Sequence, residues 1–154
     1  MDTATIDAFS YGFSWNYGYS TAGGANDVAY LYDSSGDDTF VAKPAGSYAC
    51  MYRQISAKPA GFAYWNLAFG FDKLYAISEN GGADDEAVLY DSYRNDEFYG
   101  SGSIARLHDA ALAAYFYEVQ GFDRVSVFGT AGGTNHRTLV LPLDYALAFY
   151  GTWT

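Results

Sequence analysis

The sequence predicts an all-β protein, and three observations carry that expectation. Short runs rich in β-branched and aromatic residues, such as LYAIS (74–78), EAVLYDS (86–92) and EFYG (97–100), alternate with gaps such as ENGGADD and YRND. The same pattern of runs and gaps returns along the chain. Only one stretch, 103–119, is free of Gly and Pro and rich enough in Ala to suit a helix.

The repeat defines the elements. Gly-Gly pairs stand at Gly23-Gly24, Gly81-Gly82 and Gly132-Gly133. A Gly-Phe precedes each pair, at Gly12-Phe13, Gly70-Phe71 and Gly121-Phe122, and a Phe follows each, at Phe40, Phe98 and Phe149. These landmarks give a single domain over 1–154 with units of about 12–69, 70–120 and 121–154.

The first unit opens on Tyr11, Phe13, Trp15, Tyr17 and Tyr19, whose alternation puts one aromatic row on a strand face. GGANDVAYLYDSSGDDTF (23–40) follows, and the second unit repeats it as GGADDEAVLYDSYRNDEF (81–98), keeping Asp27 as Asp85, Asp33 as Asp91 and Asp38 as Asp96. The units differ in length only between the Phe and the next Gly-Phe, which predicts a surface loop there. Pro59 and Gly61 exclude a single helix from that part of the first unit, so the matching stretch 103–119 reads as strands as well. The third unit keeps the spacing but places His136, Pro142 and Leu147 where the acids stood, as a capping repeat would.

Stacked units in register suggest a repetitive right-handed parallel β-solenoid. An antiparallel β-sandwich of hairpins is the alternative that the recurrent turns also allow.

GG-x-D-x-A-x-L-Y-D-S-x-G-D-D-T-F units followed by Gly-Phe-Asp resemble the repeat arrays of large secreted or surface-attached bacterial proteins. The resemblance implies an extracellular β-structure, generally without an enzymatic activity. A weaker similarity links the Gly-Gly turns to calcium-binding RTX nonapeptide β-rolls, from which GGANDVA and GGADDEA depart by lacking the middle glycine.

Two site readings follow. Asp27, Asp33, Asp37 and Asp38, with Asp84, Asp85, Asp91, Asn95 and Asp96, form acidic turns that either hold calcium through several oxygens or cap their own backbone amides. The aromatic residues Tyr11, Trp15, Tyr17, Tyr19, Tyr64 and Trp65 either stack on sugar rings or pack as ladders between strands. Catalysis is not expected. The repeated acids lack the asymmetry of a catalytic centre, and in His108-Asp109 and His136-Arg137 adjacent residues would point to opposite strand faces.

Composition limits the partners. Eight basic against eighteen acidic residues give a net charge of −10, which disfavours nucleic acid and anionic membranes. The longest apolar run, Ala110 to Tyr117, is far shorter than the roughly 20 residues of a spanning helix. MDTATIDAF has neither the basic start nor the apolar core of a signal peptide, so an extracellular location implies an excised part of a longer protein. The lone Cys50 lies among apolar neighbours and reads as a buried hydrophobe. The expected function is a structural or adhesive module that associates with itself or with neighbouring repeats, the alternative a calcium-dependent or glycan-binding one. A polysaccharide-active β-helix enzyme is a distant third.

Overall fold

The computed structural model describes residues 14–21, 26–57, 60–112 and 114–154, with 55–57 and 60 described by their backbone alone. It is all-β. The strands are β1 (Trp15–Tyr19), β2 (Val28–Tyr32), β3 (Thr39–Lys43), β4 (Tyr48–Ala57), β5 (Ala60–Phe69), β6 (Lys73–Ile77), β7 (Glu86–Tyr90), β8 (Asp96–Gly102), β9 (Ile104–Asp109), β10 (Phe116–Gln120), β11 (Arg124–Gly129), β12 (His136–Leu143) and β13 (Ala146–Gly151). Among the described residues the one helical turn is a 3-10 turn, Pro44–Gly46, between β3 and β4. The stretch that could have been a helix forms β9 and β10.

The strands form two sheets, one ordered β1-β5-β4-β3-β7-β11-β13 and the other β12-β8-β9-β10-β6-β2. Strict alternation decides which side chains enter the core between them. Phe40, Ala42, Met51, Leu89, Val125 and Val127 come from the seven-stranded sheet, and Leu31, Leu74, Phe98, Leu107, Tyr117 and Val119 from the other. No helix of the described residues is long and apolar enough to cross a membrane.

Both sheets are mixed, so the protein is not the closed parallel β-solenoid that stacked units suggested. A sandwich-like arrangement is compatible with the two sheets, although many of its pairs are parallel. The departure has a local cause. After β3 and after β8 the chain turns back within the same sheet, through Pro44–Ser47 and through Gly102-Ser103, and makes the antiparallel runs β3-β4-β5 and β8-β9-β10. Turns this short join antiparallel neighbours, whereas parallel neighbours need a long crossover. The extra residues of the first unit also go elsewhere than expected: they lengthen β4 and β5 to 10 residues each, against 6 and 5 in β9 and β10.

The remaining pairs follow one order in the first two units. A unit's first strand pairs in parallel with its own fifth, as β1 with β5 and β6 with β10. Its second strand pairs with the next unit's first, as β2 with β6 and β7 with β11. Its third pairs with the next unit's second, as β3 with β7 and β8 with β12. Registers recur too: Val28↔Lys73 is matched by Glu86↔Arg124, and Thr39↔Glu86 by Glu97↔His136. Asn135, and not His136 as the sequence spacing suggested, therefore stands at the place of Asp85 and takes the Asp96 amide as Asp85 takes that of Asp38. Successive units therefore begin in opposite sheets, with β1 and β11 in one and β6 in the other.

Candidate interaction surfaces

The acidic turns lie where the chain passes between sheets, and their carboxylates bind backbone. Asp85 accepts the amide of Asp38 at 2.7 Å and the Ser78 hydroxyl at 2.7 Å. Asp33 accepts both nitrogens of Asn80, and Asp91 accepts the amides of Thr130 and Ala131 and the side-chain amide of Asn135. Asp37 takes the Ala83 amide and Asn95 the Thr134 amide. In each of these contacts to a backbone amide, the partner belongs to a neighbouring unit. Asp27 receives the Ser20 hydroxyl, while its own amide donates to Asp72, as the amide of Asp85 does to Asp123. Asp84 is exposed and pairs with Arg124 at 2.7 Å.

Asp38 and Asp96 cap locally as well as spanning units. Each accepts the amide and hydroxyl of the serine four residues before it, Ser34 or Ser92. Asp96 also takes the Tyr115 hydroxyl at 2.7 Å. Tyr64, at the matching place, is partly buried, and its buried hydroxyl is set beside the Asp38 carboxylate in looser geometry than that of Tyr115 on Asp96. Burial pushes both carboxyls above the ordinary aspartate value, against the serine hydrogen bonds that pull them down. Among the described residues no group of three or more His, Cys, Asp or Glu is arranged to hold a metal ion.

The aromatic side chains cover the outer face of the seven-stranded sheet. In-register strands line up Trp15, Trp65 and Tyr52, with stacked rings at 6.3 and 4.9 Å. A second ladder runs Tyr90, Phe128 and Tyr150 at 4.8 and 4.5 Å, with Lys43 over the Tyr90 ring at 4.4 Å. In such a ladder each inner ring face lies against its neighbour, so only edges reach solvent. A sugar needs an open ring face, and open faces occur where a ladder ends. Trp15 and Tyr19 on β1 are such ends, and with Tyr17, which faces Leu67, all three are more than half exposed. Tyr64, by contrast, points into the core, and Tyr11 lies outside the described residues. Cys50 is buried as expected, which pushes its thiol up to about 11.

Nothing in the spacing of the two histidines announced that they meet. Cross-strand register places His136, Glu97 and His108 in one row over β12, β8 and β9, on the outer face of the six-stranded sheet. They line a shallow cleft of about 420 Å³ with Tyr99, Arg106 and Phe116. Both imidazoles are held through Nδ1, His108 by the Asp109 carbonyl and His136 by the Thr154 hydroxyl. Arg106 is paired with Glu118 at 2.6 Å. The cleft thus joins aromatic surface to several hydrogen-bonding groups. The signal lay only in the register, since 28 residues separate the two histidines.

No family model, curated protein or solved structure matches this chain.

Proposed function

We propose that the chain is a structural and adhesive β-repeat module of an extracellular or cell-surface protein, joined to neighbouring repeats through the ends of its sheets, and that it performs no catalysis. The observation that carries this reading is the use of the repeated acids: carboxylates in equivalent turns hold amides of the adjoining unit. Such side chains work as fasteners between units. A calcium site built on them would have to release these amides first. The extracellular placement rests on the resemblance of the repeats. A mechanical role predicts resistance to shear, because the parallel ladders load many hydrogen bonds at once. Single-molecule pulling between the termini should give a distinct unfolding peak; extension without any resolved peak would sink the reading.

A glycan-binding reading is favoured by one separate observation, the cleft of Glu97, His108, His136 and Arg106 beside Phe116. Neutral polysaccharide fragments titrated into the protein should then perturb the His108 and His136 ring signals, and Glu97→Gln should remove the effect. Unmoved signals across a glycan panel exclude this reading.

A further inference from the structure

We infer that the N-terminal edges, β1 in one sheet and β2 in the other, form a paired docking surface for one more repeat unit of this same type, placed ahead of the first. The inference rests on the repeat-module reading and adds an occupant, a register and a direction to it. Among the described residues β1 and β2 end their sheets, each with a partner on one side only. Open edges of this kind invite another strand. The molecule itself displays what covers such edges elsewhere. The first strands β6 and β11 are covered by the preceding unit's second strands, β2 and β7. The second strands β7 and β12 are covered by the preceding unit's third strands, β3 and β8.

The register then follows. Lys73 and Arg124 occupy in their units the place of Trp15, and they face Val28 and Glu86. The docked unit therefore sets its counterpart of Val28 and Glu86 opposite Trp15. By the same step its counterpart of Thr39 and Glu97 lies opposite Val28, as those residues lie opposite Glu86 and His136.

Side chains at this end suit the same occupant. Tyr19 corresponds to Phe128, on which Tyr90 of the preceding unit stacks at 4.8 Å. Tyr19 is 61% exposed and has an open place for the matching tyrosine. Asp27 corresponds to Asp85, whose carboxylate receives the preceding unit's Asp38 amide. The joining devices are thus present at this end.

The C-terminal end lacks them. Leu141 and Pro142 lie in the last unit where Asp33 and Asp91 hold a following unit in the others. In both complete units the fifth and fourth strands separate the first from the third, as β1-β5-β4-β3 and β6-β10-β9-β8. In the last unit β13 lies directly against β11. Its edge therefore stands two strand places away from where a following unit's second strand belongs. The two ends therefore differ in the joining devices they carry.

The test writes residues 12–69 twice in tandem at the start of the chain, and separately appends the same copy after Thr154. The leading copy should resist limited proteolysis and raise the thermal midpoint by about 4 °C or more. Tyr19→Lys in the original unit, with its effect on the natural chain subtracted, should abolish most of that gain. A leading copy that is digested while the midpoint stays unchanged overturns the proposal, and so does an equal gain from the appended copy. Neither result bears on the pulling experiment, so the docking surface and the structural reading fail separately.

Discussion

Two tyrosines with buried hydroxyls occupy matching places but have different surroundings. Tyr115 donates to the ionisable Asp96 at 2.7 Å, while the Tyr64 hydroxyl is set beside Asp38 in looser geometry. A hydrogen bond to a charged group contributes about 1.5–3 kcal/mol, and looser geometry weakens it. Tyr115→Phe should therefore lower stability by about 2 kcal/mol in urea titration, within that range. Tyr64→Phe should cost clearly less, and equal losses at both sites would contradict this account. The acids themselves were legible as a pattern, since Asp33 and Asp91 stand at the same place in two copies. Their partners were not, because the Asn80 and Ala131 amides lie in the next unit, about 40 residues or more along the chain.

At the scale of elements, the passage into each new unit depends on a glycine. Gly70 and Gly121 end β5 and β10 with φ of +78° and +82°, where an added Cβ would meet the Ser20 and Ser78 carbonyl oxygens at 2.3 and 2.1 Å. Both a left-handed backbone and a close backbone approach thus exclude a side chain there. Gly121→Ala should cost about 1–3 kcal/mol, the usual range for backbone strain. Comparing it with Gly81→Ala is informative, since Gly81 has a similar φ of +82° but no atom within 4 Å of the added carbon. The Gly121 variant should unfold at lower denaturant; matching midpoints would remove the close-approach argument. Strand existence was readable from the short runs. Sheet membership was not, because EAVLYDS alternates in the same way whichever sheet receives it.

For the whole molecule, the balance of charge and burial sets the response to pH. Asp38 and Asp96 have carboxyls raised by burial, so the folded chain holds their protons more tightly than the unfolded chain does. Their contribution to stability is complete below about pH 3.9, the ordinary aspartate value, and is lost as pH rises through the folded values. Self-repulsion at a net charge of −10 acts in the same direction. Stability measured by denaturant unfolding should accordingly decline from mildly acidic pH towards neutrality. Asp38→Asn with Asp96→Asn should flatten that decline; a slope equal to the parent's would show that general repulsion alone sets it.

Composition and alternation by themselves determined that the chain is all-β, and the Gly-Phe and Gly-Gly landmarks recur three times along it, because these are local properties of consecutive residues. Only the tertiary structure decided that successive units begin in opposite sheets and that hairpins break a closed coil. It alone brought His108 and His136 into one cleft. Those outcomes depend on pairings between strands distant in sequence, and the alternation of a single strand carries no record of which neighbour it will meet.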